Sequence, residues 1–323
     1  MSTENSPELS GLSNESKRPL ALIAGPTASG KSDVAVGLAQ AHRQRGTEAV
    51  IINADSAQVY GELAVLSARP SPKDMGGIEH RLFGTWNGAE PCSAADWARA
   101  ARVEIATCHQ RGALPILVGG TGLYLRTLLD GIAPIPPINP EIREAVRAMP
   151  VAEAYAALGN EDPDRAALLA PADSTRIARA LEVVRSTGKP LSDWQERLEG
   201  GVGNSVFLKA TVLLPEREAL YDRCNARFEV MLGRGAVEEV ESLIARKLAP
   251  GLPVMRAIGV ADIAGYLRGE WSLADASERA SQATRNYAKR QYTWFRNQPP
   301  PEWQRVSYDD FNLADLIEII LRK

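Results

Sequence analysis

Short apolar runs alternate with helical patterns over residues 18–130. Four of these runs have the length of a strand, at residues 20–24, 49–55, 80–86 and 114–120. Apolar residues at helical spacing predict helices at 33–40 and 94–112, the second of which ends at a glycine. Buried strands that alternate with helices are typical of a parallel sheet covered by helices, so the pattern predicts an α/β fold.

The pattern changes at a cluster of prolines, Pro134, Pro136, Pro137 and Pro140. Residues 141–200 are helical in character, residues 207–214 resume a strand-like composition, and residues 215–298 are again helical. The simplest interpretation is a helical insert within an α/β core. We therefore expect a disordered tail at 1–17, a core at 18–130 and 206–298, an insert at 131–205, and a C-terminal tail or short helix at 299–323.

The composition is that of a globular protein, and it limits which classes of binding partner are expected. Of 323 residues, 45% are hydrophobic and 24% are charged, and the net charge of −3 provides no global basic field for nucleic acid. Three scattered cysteines favour a reducing compartment, and the three histidines have no metal-ligand spacing. The polar, Ser-rich N-terminus lacks the apolar segment of a signal peptide. We expect a cytoplasmic protein, with a monomer as the default.

A phosphate-binding motif, G-x-x-x-x-G-K-[ST], lies between the first strand and the first helix, which is the context it requires. The motif comprises Gly25, Pro26, Thr27, Ala28, Ser29, Gly30, Lys31 and Ser32. Its backbone N–H groups and the helix N-terminus can surround phosphate oxygens, Lys31 can reach the outer phosphate, and the Ser32 hydroxyl can ligate Mg²⁺. The motif does not tell whether the phosphate is hydrolysed, transferred or released as a leaving group.

Two polar side chains follow strands that should end at the same edge of the sheet, where ligands gather. Asp55 closes the run at 49–55 and is a candidate carboxylate base, although a turn residue or a Mg²⁺ partner fits equally. Thr121 follows the run at 114–120, where helix capping is the ordinary role of threonine. No other strand here ends in an acid and no water-positioning residue stands out, which weakens a hydrolytic interpretation.

Residues 284–298 hold four basic side chains and no acid. Arg285, Lys289, Tyr292 and Arg296 recur at helical spacing, Arg290 lies among them, and Tyr287, Trp294 and Phe295 add flat rings. Basic groups interleaved with aromatic rings suit RNA, whereas a solvated basic face over an aromatic core stripe is an equal alternative. A second basic cluster, in the insert, contains Arg176, Arg179, Arg185 and Lys189, with Glu182 as its only acid.

Taken together and in this order, the motifs resemble the tRNA dimethylallyltransferase family, the bacterial tRNA isopentenyltransferases. The resemblance covers roughly residues 19–298. It is carried by the segments GPTASGKS, NADSAQVY, LSARP, EHRLF, SAADWARAA, LPILVGGTGLYL, NPEIR, RIARALEV, STGKPLS, GLPVMRAIG and AKRQYTWFRNQ. The family fold is a P-loop α/β core with a helical insert, which agrees with the layout inferred from the pattern.

The resemblance implies a reaction and assigns residues to it. The donor would be dimethylallyl diphosphate, the acceptor N6 of the adenosine 3′ of the tRNA anticodon, and the cofactor Mg²⁺, so the motif would hold a leaving diphosphate. Asp55 matches the family's general base, and Thr121 matches a position that contacts the reacting adenosine. The tRNA-contact positions carry over to Asp55, Ser56, Ala57, Gln58, Thr121, Arg143, Thr175, Arg176, Arg179, Arg256, Lys289, Arg290 and Gln291.

The chain departs from the family pattern at one place. Val260 and Ala261 stand where many members have an aromatic and a basic residue, so Arg256 is the safer contact in this segment. With three scattered cysteines, we expect no zinc-finger extension of the kind that eukaryotic relatives have. Three alternatives remain open: an isopentenyltransferase acting on free adenine nucleotides, a P-loop small-molecule kinase using ATP, and an RNA-binding nucleotide switch.

Overall fold

The computed structural model describes residues 17–307 and 312–322. In these residues six strands form one sheet in the order β3-β2-β4-β1-β5-β6, and every neighbouring pair is parallel. The strands are β1 (Arg18–Ala24), β2 (Ala49–Asn53), β3 (Glu79–Arg81), β4 (Leu114–Gly119), β5 (Val206–Leu213) and β6 (Gln304–Val306). The predicted parallel α/β fold is therefore confirmed.

Helices lie in the connections between these strands except that between β2 and β3, residues 54–78, which is long enough for a parallel crossover but not helical. They are α1 (Lys31–Gln44), α2 (Ala94–Gln110), α3 (Gly122–Leu129), α4 (Pro140–Ala148), α5 (Val151–Glu161), α6 (Pro163–Ala167), α7 (Ser174–Thr187), α8 (Leu191–Gln195), α9 (Arg217–Leu232), α10 (Ala236–Ala245), α11 (Val260–Leu267), α12 (Leu273–Asn297) and α13 (Leu313–Arg322), with a 3₁₀ helix at Pro253–Arg256. Within the described ranges, none of these helices combines the length and apolar content needed to cross a membrane.

Several predicted boundaries were wrong. The third strand covers three residues instead of seven, because the chain turns away after Arg81 and Leu82 adopts a positive φ of 63°. The second strand ends at Asn53, so Asp55 belongs to the following loop. β6 was not predicted, since three residues at a sheet edge leave too short a pattern to recognise. The C-terminal helix was expected, and α13 confirms it over Leu313–Arg322.

The sheet core explains why the strands read as continuous apolar runs. All five residues of β2 and all six of β4 are buried, as expected for central strands covered on both faces. On one face, α1 and α13 pack against the sheet. α2 packs on β2 and β4 and buries Trp97, whose indole N–H donates to the Asn53 carbonyl at 2.8 Å. This contact fixes the end of β2, two residues before Asp55.

The chain divides into two compact units. The smaller unit is Leu129–Val202 and contains α4 to α8, with a core of its own built around Val146, Leu158, Ile177 and Leu181. The larger unit contains the whole sheet and the helices α1 to α3 and α9 to α13. The chain thus leaves the larger unit at the end of α3 and returns to it just before β5.

Candidate active site

Three loops meet at the carboxyl edge of the sheet because their strands are neighbours. β4 lies between β2 and β1, so the loops that follow these three strands, which begin at Ala54, Gly120 and Gly25, are adjacent. The loop backbones touch: a side chain at Gly119 would place its Cβ 2.2 Å from the carbonyl of Ala54. The Thr121 N–H also donates to the Ala54 carbonyl at 3.2 Å. The phosphate motif and Asp55 therefore share one crevice, and Thr121 is hydrogen-bonded to the loop that carries Asp55.

The phosphate loop, residues 25–32, has the backbone that its glycines allow. Gly25 has a φ of 155° and Gly30 a φ of 83°, and a Cβ on Gly25 would lie 2.7 Å from the Leu213 carbonyl. α1 begins at Lys31, inside the motif, so its N-terminal N–H groups point into the loop. The hydroxyl of Ser29 is fully buried and has no hydrogen-bond partner. The loop is therefore built to surround an anion.

Lys31 is the buried cation of this loop. Its side chain is 9% exposed, and Nζ donates to the Pro26 carbonyl at 3.1 Å. Burial lowers the pKa of Lys31 to about 8, an effect that Asp55 opposes and Arg227 reinforces. A bound anion would favour the charged amine, so phosphate binding should raise this pKa again and keep Lys31 protonated.

Gln291 ties the phosphate loop to the end of β4. Its Oε1 accepts from the Thr27 N–H at 2.8 Å, and its Nε2 donates to the Gly120 carbonyl at 2.8 Å. The residue is 6% exposed, and both ends of the amide are engaged within the protein. This differs from the expected tRNA contact, because α12 turns Gln291 inward. The Gln291 amide therefore holds the phosphate loop and the loop after β4 together.

Asp55 and Thr121 are held by neighbours in the crevice. Asp55 Oδ1 accepts from the Ala57 N–H at 2.9 Å, and the Asp55 N–H donates to Oδ1 of Asn53 at 2.9 Å. Thr121 Oγ1 accepts from the Ser56 N–H at 3.0 Å, so its hydroxyl crosslinks the two loops instead of capping α3. Half-buried Asp55 keeps its carboxylate on the crevice wall in a fixed orientation.

The loop at residues 63–69 forms the opposite wall, and a single carboxylate anchors it. Glu239 accepts from the N–H groups of Ala64, Val65 and Leu66, at 2.7, 2.7 and 2.8 Å. Gln58 donates from Nε2 to the carbonyls of Ser67 and Ala68 and is 8% exposed. The sequence resemblance assigned Gln58 to tRNA contact, whereas the structure shows it buried as a crosslink to this loop.

Arg227 is a site residue that the sequence reasoning missed. It lies on α9, donates to the Thr27 hydroxyl at 3.3 Å, and faces Asp55 and Asp33 closely enough for both to influence its pKa. Burial lowers the pKa of its guanidinium, and these carboxylates oppose the shift. The signal that could have found it is the basic residue repeated at i and i+4 in α9, Arg223 and Arg227.

Two cavities open on this crevice, and the wall residues that they share are Thr27, Asp55, Ser67, Arg227 and Met231. The larger, about 1010 Å³, runs along the phosphate loop and includes Lys31, Ser32 and Asp33. The smaller, about 350 Å³, has apolar walls with a few polar groups at its rim. Its walls include Leu63, Leu66, Cys224, Phe228, Met231, Ile258, Tyr124, Tyr287, Arg256 and Arg290. Asp55 thus stands where an anion-binding space meets an apolar one.

α12 carries the predicted basic stretch, and its faces differ in exposure. Lys289 and Arg290 are exposed, and the Arg290 guanidinium lies 5.7 Å from the Tyr287 ring centroid. Burial raises the pKa of the Tyr287 hydroxyl, and the nearby Asp55 raises it further. Phe295 is fully buried and meets Trp294 edge-on at 4.9 Å, so it belongs to the core and offers no face for a base.

The remaining predicted RNA contacts lie in the smaller unit. Arg143 is on α4, and Thr175, Arg176 and Arg179 are on α7. Thr175 and Arg176 are exposed, and Arg176 pairs with Asp173 at 3.2 Å. Arg143 and Arg179 both approach the buried carboxylate of Glu182. Within this unit the predicted contacts therefore form one basic surface across α4 and α7.

The oxygen donors near the phosphate loop suit a Mg²⁺ ion that is also bound by the phosphates of a substrate. Ser32 and Asp33 line the larger cavity, with Asp55 across it. In the described part of the chain no group of three or more His, Cys, Asp or Glu side chains could hold a metal by itself. Mg²⁺ commonly keeps several waters and is held through one or two protein ligands plus substrate phosphates. The residues present fit that arrangement.

Comparisons with known proteins agree with one another. The family model described as IPP transferase matches residues 58–298, and one described as isopentenyl transferase matches residues 18–90. A tRNA dimethylallyltransferase of Erythrobacter litoralis is 64% identical over 94% of this chain and 95% of its own length. The full-length tRNA isopentenylpyrophosphate transferase from Bacillus halodurans has a TM-score of 0.67 at 30% identity, covering 95% of this chain and 96% of that one. A eukaryotic dimethylallyltransferase acting on tRNA has a TM-score of 0.74 at 28% identity, and the match covers 86% of this chain and 70% of that one.

Proposed function

Since the chain belongs to the IPP transferase family, we propose that it is a tRNA dimethylallyltransferase. It transfers the dimethylallyl group of dimethylallyl diphosphate to N6 of the adenosine 3′ of the anticodon and releases diphosphate. The observation that carries this proposal is the position of Asp55, which lines both the phosphate cavity and the apolar cavity. A leaving diphosphate, an allylic carbon and a base can meet at that one point.

The leaving group needs positive charge at the phosphate loop. As the bond from C1 to oxygen breaks, its electron pair passes to the diphosphate oxygen, and carbon becomes positive. Lys31, the loop N–H groups and the Arg227 guanidinium are fixed before the reaction begins, so they stabilise the developing negative charge without rearrangement. Mg²⁺ held at Ser32, with Asp33 nearby, would supply further neutralisation of the diphosphate.

The nucleophile needs a base because the N6 lone pair of adenine is delocalised into the ring. The new bond joins N6 to C1, and the N6 proton passes to the carboxylate of Asp55. The hydrogen bond from the Ala57 N–H orients that carboxylate, and the Thr121 hydroxyl, fixed by Ser56, stands on the same wall. To reach this position the adenosine must leave its stack in the anticodon loop.

The smaller cavity suits the prenyl group and the unstacked base. Leu63, Leu66, Phe228 and Met231 give it apolar walls that exclude water from an allylic cation. Tyr287 offers a ring at the rim beside Arg290. The apolar lining next to a phosphate site favours a prenyl diphosphate over ATP, whose transferred group is itself a phosphate.

The basic residues supply contacts for the RNA backbone. Arg256 and Arg290 are exposed and line the smaller cavity, and exposed Lys289 is next to Arg290 on α12. The smaller unit has basic residues of its own on α4 and α7. Phosphate contacts of this kind position the RNA and make its binding depend on salt.

One incubation distinguishes this activity from its alternatives. The protein is mixed with either unmodified tRNA or free AMP, in each case with dimethylallyl diphosphate or ATP. The nucleotides and the nucleosides of the digested tRNA are then identified by mass spectrometry. The proposal predicts one dimethylallyl group on adenosine in tRNA, and no such product from free AMP. Transfer to free AMP alone would identify the enzyme acting on nucleotides. ADP formation with unmodified RNA would support a kinase or a nucleotide switch and refute the proposal.

A further inference from the structure

One buried carboxylate in the smaller unit lies within 4 Å of the guanidinium groups of three arginines. Glu182, on α7, is 1% exposed. Its Oε1 lies 2.8 Å from Nε of Arg147 and 3.8 Å from Nε of Arg143, and its Oε2 lies 3.8 Å from Nη1 of Arg179. The three arginines come from two helices, α4 and α7, so the carboxylate joins surfaces that are about 35 residues apart in sequence.

The arrangement leaves the arginines turned toward solvent. Their side chains are 52, 60 and 41% exposed for Arg143, Arg147 and Arg179, whereas the carboxylate beneath them is closed off. Three guanidiniums and one carboxylate carry a net charge of +2. Arg147 makes the short hydrogen bond to Glu182, whereas Oε2, with Arg179 at 3.8 Å, has no partner at hydrogen-bond distance among the described residues. A buried carboxylate with one oxygen unpartnered is expensive, so local stability alone is a poor explanation for it.

Guanidinium groups that share one centre repel one another, and long side chains lose rotamer entropy when they are ordered. A buried carboxylate removes part of that repulsion and fixes the side chains before a ligand arrives. The outward N–H groups of arginine match a phosphate in a planar, bidentate geometry. The cluster therefore has the character of a preformed site for an oxyanion of a polyanion backbone.

We propose that Glu182 is a positioning residue that assembles Arg143, Arg147 and Arg179 into a single binding site for an RNA backbone phosphate. This inference rests on the proposed function, because the phosphate would belong to tRNA. It adds Arg147 to the RNA surface and assigns to the acid of the basic cluster a role in binding.

When Glu182 is replaced, the direction in which tRNA affinity changes separates a positioning role from a purely electrostatic one. Glu182→Gln removes a negative charge next to the arginines, so an electrostatic view predicts tighter tRNA binding with a steeper salt dependence. Positioning predicts the reverse, about tenfold weaker binding, as expected for coupled residues. Glu182→Asp keeps the charge and withdraws it by one methylene, so positioning also predicts weaker binding here, by about threefold or more.

The experiment measures tRNA affinity by anisotropy over a salt series, with thermal unfolding and pyrophosphate affinity on the same samples. Glu199→Gln is the matched control, since Glu199 pairs with Arg197 at 3.7 Å in the same unit, on a segment outside α4 and α7. It should bind tRNA within about twofold of the wild type. Arg147→Gln should weaken binding and reduce the salt slope by about one. Combining Arg147→Gln with Glu182→Gln should cost less than the sum of the two.

The outcomes are distinguishable. Weaker tRNA binding by Glu182→Asp and Glu182→Gln, with unchanged melting and unchanged pyrophosphate affinity, supports positioning. Wild-type affinity in Glu182→Asp, tighter binding in Glu182→Gln, or additive losses with Arg147→Gln would overturn it. If Glu182→Gln fails to fold, Glu182→Asp and the Arg147→Gln salt slope decide. Because the assay needs no turnover, failure of the proposed prenyl transfer would show separately, as a wild-type protein that binds tRNA without modifying it.

Discussion

Replacing Gln291 with leucine should loosen the phosphate loop and destabilise the larger unit. Leucine has a similar volume but can make neither of the two 2.8 Å bonds. The Gly120 carbonyl would lose a buried partner, at about 2 kcal/mol, and the Thr27 N–H a half-buried one, at about 1 kcal/mol. The free energy of unfolding should therefore fall by about 3 kcal/mol, which lowers the melting temperature by about 6–12 °C for a unit of this size.

The same change should weaken the binding of inorganic pyrophosphate by about tenfold, since the Thr27 backbone no longer has a fixed direction. Chemical denaturation and calorimetric titration measure the two effects. Gln282→Leu is the matched control, because Gln282 is exposed on the same helix and makes only surface hydrogen bonds. A Gln291→Leu protein with wild-type melting and pyrophosphate affinity, but with reduced tRNA binding, would refute the bracing role and restore the expected RNA contact.

Three further changes test the walls of the crevice. Arg227→Gln should lower the rate of prenyl transfer by about a hundredfold through lost stabilisation of the leaving diphosphate; a single-turnover rate within threefold of the wild type would contradict this. With the pKa of Lys31 at about 8, pyrophosphate affinity should be constant below that pH and fall by up to about tenfold per unit above it, because binding requires the protonated amine. Subtracting the same pH series for Lys31→Arg removes the ligand's own protonation, and a flat difference would exclude Lys31. Glu239→Gln should reduce the free energy of unfolding by about 2 kcal/mol, since one of three backbone N–H groups would face an amide N–H, whereas exposed Glu238→Gln should change it by less than about 0.5 kcal/mol.

The fold and the centre of the site could be predicted from the sequence, because both depend on patterns that are local along the chain. A strand, a glycine-rich loop and a helix define the phosphate cradle, and parallel strands bring their carboxyl ends together. Asp55 and Thr121 could therefore be placed in the same crevice without knowing the strand order. The resemblance to a family then supplied what these residues would act upon.

Sequence pattern does not show contacts that distant packing decides. The resemblance assigns Gln58 and Gln291 to tRNA contact, and the structure shows in addition that both are buried and hydrogen-bonded to loops of the crevice. The pattern of α12 could not show which side meets a phosphate loop 264 residues away. Arg227 was missed for the same reason: α9 is polar on several sides, and only tertiary packing turns this arginine toward Thr27. Short edge strands such as β6 leave too little pattern to recognise.

The most direct test of the account is the single-turnover rate of prenyl transfer by Asp55→Asn, measured alongside its tRNA affinity. The amide preserves the size of the side chain and can still accept from the Ala57 N–H, but it cannot take the N6 proton. The account predicts a rate lower by about 10²- to 10⁴-fold with tRNA affinity within about threefold of the wild type. A normal rate, or a loss confined to tRNA affinity, would contradict the claim that Asp55 is the base.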